Sequence, residues 1–545
     1  MKNYMDTPSP SFAVTIHELN WERINLKLEG LISGDINESY KLYLLNNVDQ
    51  RIIPIVKYTQ DNHLFSASIN VSTLYNGDRI PDGKWWVIVE NSLEEKHNVT
   101  IANNLLAYEE KSFPKRFSKD FKSGPKRVYK VHTELNQDNN LYLDVFFQAP
   151  NSKASHKRKR TSFKKKFADF RTSLFERIFT FAKNHVKKNG KRILFTSASR
   201  SSIGGNLKFV YDRMIERGLD KEYTIKKVFK PNIWSRSHFL DKFKLPFFLG
   251  SFDKIFIEDY QPMVNDLIFD DDTEVIQLWH ANGAFKTFGY SRLGKPASPK
   301  IDSTNHRIYT NAITSSKHVI PYYAEAFAID ENKVIATGIP KTDIFFDEEY
   351  KEKTKRKVTG TYPKIKNVKK VIVFGPTFRG GGPKTAYYPM QKINFQALAE
   401  YCRETNSIIL FKMHFLVKNA LEIPAEFTDV LIDATDYREI NDLLFVADVL
   451  ITDYSSTIYE SSLLNIPMIF YAFDLEEYIS ARDFYDEFES FVPGKITRNF
   501  DELITALEKE DYEFEKVKKF RELNFEFLDG RASDRVIDWL ILDKR

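Results

Sequence analysis

Two histidines follow apolar runs where a buried strand should end: His280 in "EVIQLWHANGAFKTFG" and His414 in "SIILFKMHF". A neutral imidazole at physiological pH accepts a proton from a hydroxyl, which is general-base chemistry. An isolated histidine in such a place is more often a satisfied buried residue or a cap. Here its company changes the reading. Gly283 and Lys286 follow His280 in the same turn, and Lys412 precedes His414. The stretch "VIVFGPTFRGGGP" puts Thr377 and Arg379 at a third strand end, before a glycine turn. Such turns let backbone N–H groups approach a phosphate, and a guanidinium offers its oxygens a planar fork of donors. A fourth junction, "VLITDYSSTIYE", carries Asp453, Ser455 and Ser456 where a helix should begin, with Glu460 on that helix. Hydroxyls and free N–H groups at a helix start favour an anion, and a carboxylate beyond them suits ribose hydroxyls. An ordinary N-cap with a solvated glutamate fits the same letters. The shared preference of the whole set is a diphosphate.

Other chemistries lack their signatures. No GxxxxGK[ST] loop is present, which argues against an NTPase, and no GxGxxG follows a strand, which argues against a dinucleotide oxidoreductase. No HExxH or CxxC pair marks a metal site, so neither a metal nor a cofactor is expected. Whether a divalent cation assists is not readable. The run "FDDDT" imitates a metal-binding DxD, yet it precedes a strand and reads as a solvated turn. One cysteine, Cys402, excludes a disulfide scaffold and fits a reducing cytoplasm.

The elements that must position these residues are α/β. At 545 residues, 42% apolar and 14% aromatic, the chain suits about three domains. Residues 1–150 hold short β-branched and aromatic runs, such as "YKLYLLNN", "KWWVIVEN" and "LYLDVFFQAP", separated by turn clusters. They predict a β-sandwich with no catalytic constellation. Residues 151–190 form a basic linker and then an amphipathic helix, with Phe167, Phe170, Leu174, Ile178 and Phe181 on one face. That helix is expected either to lie in a lipid interface or to pack on the next domain. Two βα series follow, over residues 191–350 and 351–545. They predict a tandem pair of doubly wound sheets facing a cleft, with strand-end polar groups lining it. The amino terminus lacks the apolar core of a signal peptide, and no run of about 18 apolar residues would span a bilayer.

"LWHANGAFKTFG", "TGIPKTDIFF", "GPTFRG", "FKMH" and "ITDYSSTIYESSLLNIPMIFYAFDLEEY", in that order, resemble the CDP-glycerol glycerophosphotransferase family, over about residues 192–545. The amino-terminal region, with "NWERINLKLEG", is similar to the extra domain of the ribitol-phosphate polymerases within it. The resemblance implies a GT-B-like pair of Rossmann-like domains, acceptor side first and CDP-alditol side second. It also implies transfer of ribitol or glycerol phosphate from CDP-ribitol or CDP-glycerol to a polyprenyl-diphosphate-linked teichoic acid chain, with release of CMP. The setting it implies is wall teichoic acid synthesis in Gram-positive bacteria, at the cytoplasmic face of the cell membrane; the basic cluster from Lys157 to Lys166, with Lys164, Lys165 and Lys166, is expected to attach the chain peripherally to an anionic surface. The family's essential histidines map onto His280 and His414. Its nucleotide and diphosphate contacts map onto Arg379, Asp453, Ser455 and Ser456, and onto Glu460. Where many members have "WHGT" or "WHAC", this chain has "WHANG", and "FKMHF" lacks the proline that often follows the histidine. Three alternatives stay open: a GT-B glycosyltransferase using a nucleotide-sugar, a nucleic-acid binder suggested only by "KRKRTSFKKK", and a homo-oligomer of either enzyme. A nucleic-acid role leaves the paired histidines without a purpose, so no nucleic acid is expected.

Overall fold

The computed structural model describes residues 12–544, apart from 36–37, 107–115, 125–126, 149–162, 234, 236–239, 297 and 382–383. The basic linker and Lys157 to Arg160 within it lie outside the described residues, and of 163–168 only the backbone course is described. The chain divides into two compact units.

The first unit contains residues 1–167 together with 288–308 and 324–330. Its predicted strands form two sheets. One has the order Lys57–Asp61, Leu64–Asn70, Asn25–Ser33, Ala13–Glu22, Thr100–Ile101. The other runs Lys119–Lys122, Val128–Leu135, Leu141–Gln148, Gly83–Glu90, Lys41–Asn46, Ile52–Pro54. Alternation along the strands puts Ile16 and Leu28 of the first sheet in one core with Trp85, Val87 and Leu143 of the second. Two segments from the middle of the chain complete this unit. Tyr290 and Ile301 enter its core, and Arg23 and Asn25 bind Glu325 at 2.7 and 2.5 Å. A linear boundary drawn through residue 191 misses them.

The second unit carries both predicted βα series. Its first six-stranded sheet is parallel throughout, in the order Thr224–Phe229, Arg192–Ser197, Lys254–Ile257, Glu274–Gln277, Asn311–Ile313, Val334–Ile335. The second is also parallel: Leu431–Asp433, Ser407–Phe411, Lys370–Phe374, Val449–Thr452, Met468–Tyr471, Lys495–Thr497. Strands covered on both faces need apolar side chains at every position, and Ser407–Phe411 and Val449–Thr452 are buried along their full length. Strand order reverses between Lys370–Phe374 and Val449–Thr452, and in the first sheet between Arg192–Ser197 and Lys254–Ile257. Each reversal opens a crevice at the carboxyl ends of the strands. The terminal helix Ala532–Leu540 returns to the first sheet: Val536, Ile537 and Leu540 join the core of Ile193 and Phe256, and Asp534 takes a forked pair from Arg213 at 2.9 and 3.0 Å.

The amphipathic helix spans Phe163–His185. Of the predicted stripe, among the described residues only Leu174 and Ile178 are half-buried. Phe179 and Ala182 are buried, Phe179 meeting Phe269 at 5.2 Å, whereas Phe170 and Phe181 stay 62% and 57% exposed. Aromatic residues on two sides of one helix gave the periodicity more than one face to follow. The acidic run after it serves that helix: Asp270 pairs with Lys183 at 3.1 Å, and Lys188 bridges Asp270 and Asp272. Among the described residues no helix is long and apolar enough to cross a membrane.

Candidate active site

His280 follows the strand Glu274–Gln277. The Asn206 amide donates to the carbonyls of Leu278 and Trp279 at 3.1 and 2.6 Å, fixing the turn that presents the ring. His280 Nδ1 lies 2.5 Å from Asp259 Oδ1, and its side chain is 53% exposed. Ser199 donates its hydroxyl to the other oxygen of Asp259. Burial pushes the Asp259 carboxyl up, but the His280 hydrogen bond and charge, Ser199 and Arg200 together bring it below its ordinary value. A charged Asp259 holds the proton on Nδ1 and leaves Nε2 with its lone pair free to accept one. The backbone is strained at Asp259, φ 65°, and at Trp279 just before His280, φ 42°, a region non-glycine residues rarely occupy. The neighbouring Glu258 faces the other way, accepting from Asn206 N at 2.8 Å and pairing with Arg200 at 2.8 Å. Burial raises its carboxyl. Asp259 and Ser199 escaped the sequence reading, although "FIEDY" has the same apolar-then-polar form as the strand ends that were noticed.

The loop after His280 reaches across to the second sheet. Thr287 N donates to Asp483 O at 3.0 Å, and Tyr485 N to Phe285 O at 3.1 Å. Gly283 is required here by close packing, since a Cβ on it would drive into the Tyr459 ring. Its expected approach to a phosphate is therefore not what the position demands. Asn282 is buried with both side-chain polar atoms unpartnered among the described residues. Lys341, in the "GIPKTD" loop, donates to His280 O at 2.8 Å and reaches Glu460 Oε1 at 3.4 Å. Glu460 is thus a buried partner of Lys341 in this structure, where a ribose contact was expected.

Arg379 is 8% exposed and makes four hydrogen bonds to protein: a fork onto Asp474 at 2.6 and 2.9 Å, Asp453 Oδ2 at 2.8 Å, and Thr377 O at 2.6 Å. With five N–H donors in a guanidinium, little remains for a ligand. Asp453 is equally committed, accepting from Thr377 N at 2.7 Å and Tyr454 N at 2.5 Å besides Arg379. These two residues brace the crevice from beneath and do not present free groups to it. Tyr454 stacks on Tyr478 with ring centres 3.8 Å apart, and the guanidinium lies over both. The Thr377 hydroxyl is buried and has no partner among the described residues. Ser455 bonds to the Thr457 hydroxyl at 2.7 Å and accepts from Thr457 N, while Ser456, the N-cap of the helix, makes no side-chain capping bond and is exposed.

Cations gather above this brace. Lys286, half-buried over the Tyr478 ring, has its ammonium lowered to about 7. Burial is the main cause; Asp453 opposes it, and Arg482 and Arg379 add to it. Burial likewise lowers Lys412, which donates to Thr435 O at 3.0 Å. His414 is lowered by burial and then by Lys286 and Lys412. It accepts from Leu416 N at Nδ1, 3.2 Å, so its neutral form carries the proton on Nε2 and donates from there. His414, Lys412 and Lys286 are thus brought together from both sheets. Among the described residues no group of three His, Cys, Asp or Glu side chains is placed to hold a metal ion.

Comparison with known proteins gives this geometry a context. Residues 178–542 match the family described as CDP-Glycerol:Poly(glycerophosphate) glycerophosphotransferase. The chain is 42% identical to teichoic acid ribitol-phosphate polymerase TarL of Staphylococcus aureus, covering 96% of this chain and 98% of that one. It is 46% identical to teichoic acid ribitol-phosphate polymerase TarK of the same organism, over 84% and 90%. Among solved structures, the wall teichoic acid polymerase TagF shares its fold with a TM-score of 0.53 at 20% identity, over 69% of this chain and 97% of that one.

Proposed function

This chain belongs to the CDP-glycerol:poly(glycerophosphate) glycerophosphotransferase family, and from that premise we propose that it extends a teichoic acid by transferring an alditol phosphate from a CDP-alditol, releasing CMP. The relatives named for ribitol phosphate make CDP-ribitol the first donor to try. The observation that carries the reading is that the loop presenting His280 is tied to the second half, Thr287 N donating to Asp483 O at 3.0 Å and Lys341 reaching both His280 O and Glu460. One cleft then holds a poised base and a cluster of anion-binding groups.

In this reading the acceptor hydroxyl attacks the β-phosphorus of the donor, and its proton passes to His280 Nε2. Asp259 stabilises the imidazolium that forms. The bond from the β-phosphorus to the CMP oxygen breaks. His414 Nε2–H, Lys412 and Lys286 hold the charge on the diphosphate and on departing CMP. Positioned charge of this kind supplies most of the catalysis in phosphoryl transfer. Arg379, Asp453 and Asp474 keep those groups in place, and Ser455, Ser456, Thr377 and Glu460 border the nucleotide side. The two parallel sheets are read as the halves of a GT-B-like enzyme, acceptor half first. The amino-terminal sheets are read as a β-sandwich accessory region outside the chemistry. The acceptor is a lipid-linked chain, so the enzyme works peripherally at the cytoplasmic membrane face.

Incubating the purified protein with lipid-linked acceptor and, separately, CDP-ribitol, CDP-glycerol and UDP-sugars tests this. CMP release from a CDP-alditol with growth of the polymer is expected. Release of UDP from a UDP-sugar, without CMP release, would replace it with the glycosyltransferase reading.

A further inference from the structure

A second arginine, Arg482, stands at the crevice of the second sheet, just past the helix Leu475–Ala481. Its backbone N–H donates to Tyr478 O at 2.8 Å and closes that helix. The residues after it cross to the loop that presents His280. Thr287 N donates to Asp483 O at 3.0 Å, Lys286 and Phe484 pair as in an antiparallel ladder, and Tyr485 N donates to Phe285 O at 3.1 Å. The Arg482 guanidinium lies over the Phe378 ring, 5.4 Å from its centre, and the centre of the His414 ring is 4.9 Å from that same point. Arg482 thus sits where the His280 loop meets the strand end that carries His414.

We propose that Arg482 is a catalytic residue whose guanidinium forks onto the β-phosphate of the donor, the group that is transferred. The inference rests on the functional reading above and adds to it a residue that no motif in the sequence marked. Its free donors come first. Arg482 is half-buried, yet among the described residues its guanidinium makes no hydrogen bond or ion pair. Arg379 is the contrast, with its donors committed to Asp453, Asp474 and Thr377 O. Those two carboxylates are therefore taken, and five N–H groups on Arg482 are left to meet a ligand. Its company comes second. Lys286 and His414 flank it from two different elements, and Arg482 contributes to lowering the Lys286 ammonium. Cations gathered in this way repel one another, and a diphosphate among them turns the repulsion into attraction. Its position comes third. The pairing of residues 483–485 with the His280 loop puts Arg482 on the acceptor side of the cation cluster. The acceptor attacks the β-phosphorus, so the β-phosphate and not the α-phosphate belongs there. A planar fork matches two non-bridging oxygens of that group, which carry the charge while the bond to CMP breaks.

Calorimetry of the full chain with CDP and with CMP, which lacks the β-phosphate, isolates the contact. Arg482→Met should weaken CDP by about tenfold or more, the scale of a hydrogen bond to a charged group, and leave CMP within about twofold. Arg482→Lys keeps the charge without the fork and should recover part of the CDP affinity. With CDP-ribitol and acceptor, kcat of Arg482→Met should fall by about 10³-fold, the low end for an arginine that stabilises a phosphoryl group in transfer. Denaturation midpoints of the three proteins should lie close together, because the guanidinium has no hydrogen-bonded protein partner to lose. CDP and CMP weakened alike would move Arg482 to the nucleotide side and overturn the proposal. So would CDP binding that is the same in wild type and Arg482→Met. Wild type that binds neither CDP nor CMP would instead overturn the donor reading itself, and this role with it.

Discussion

The edges of the two parallel sheets handle charge in opposite ways. At the first, the His280 ring is more than half exposed and is held by one carboxylate and one backbone-fixed turn. At the second, Arg379, Asp453 and Asp474 are locked to one another below the surface, and the groups left facing the crevice are cations whose charge burial has weakened. A base must meet an incoming hydroxyl, so it needs access and an aligned tautomer. A diphosphate site needs a stiff field, and buried ion pairs are a way to keep donors from relaxing. The difference teaches that charged residues at strand ends divide into those that act and those that hold the actors.

If that division is right, the largest effect belongs to His280→Ala. Loss of a general base typically lowers turnover about 10²–10⁴-fold. Donor affinity, read by calorimetry, should stay within about twofold because the cation cluster is untouched. Comparable losses in turnover and donor binding would erase the contrast between the edges. The next effect lies on the other side. Arg379→Met leaves Asp453 and Asp474 buried without their partner, and breaking such a pair costs about 3–5 kcal/mol. Chemical denaturation should show the second unit destabilised by that order. A variant as stable as wild type would show that Arg379 is not a brace.

Much of this arrangement was legible in the sequence, for a physical reason. A strand buried on both faces is mostly apolar, so the polar residues that follow such a run mark the sheet edge, as Lys412 and His414 do after Ser407–Phe411 and Asp453 does after Val449–Thr452. What a residue does at the edge depends on partners far along the chain. Asp474 lies 95 residues from Arg379, and no local pattern pairs them. Gly283 is expected among the substrate-binding residues, yet its constraint is the Tyr459 ring, which arrives from the helix Thr457–Leu463 more than 170 residues on. Asp259 was passed over because an acidic residue after a strand is common. Only its 2.5 Å approach to His280 distinguishes it. The stretches 288–308 and 324–330 gave no sign that they belong with the amino-terminal sheets, since that depends on contacts such as Glu325 with Arg23.

Asp259→Asn sharpens the acceptor side. The amide keeps the shape, removes the charge and can steady the wrong tautomer. Turnover should fall by up to about 10⁴-fold, the scale on which an Asp→Asn change that sets the wrong tautomer acts on a general-base histidine. Donor affinity, read by calorimetry, should be unchanged, because Asp259 acts through the ring on the acceptor side. An Asp259→Asn protein with wild-type turnover would show that Asp259 does not hold the reactive tautomer.

Lys286 sharpens the donor side, and its effect is graded by pH. Its ammonium is lowered to about 7 by burial among other cations, so part of the population has lost its charge at neutral pH. Only the charged form attracts a diphosphate. Donor affinity should therefore be greatest below pH 7 and weaken as pH rises, by up to about tenfold per unit for a single proton taken up on binding. Bound phosphate restores the lysine's charge, so the decline should level off at the higher pKa of the complex. Lys286→Arg keeps its charge at every working pH and should flatten the profile; Lys286→Met should flatten it too, at weaker affinity throughout. Calorimetry of CDP-ribitol between pH 6 and about pH 9, compared across the three proteins, separates these outcomes. A wild-type profile as flat as that of Lys286→Arg would show that this lysine is not the group whose charge the donor feels.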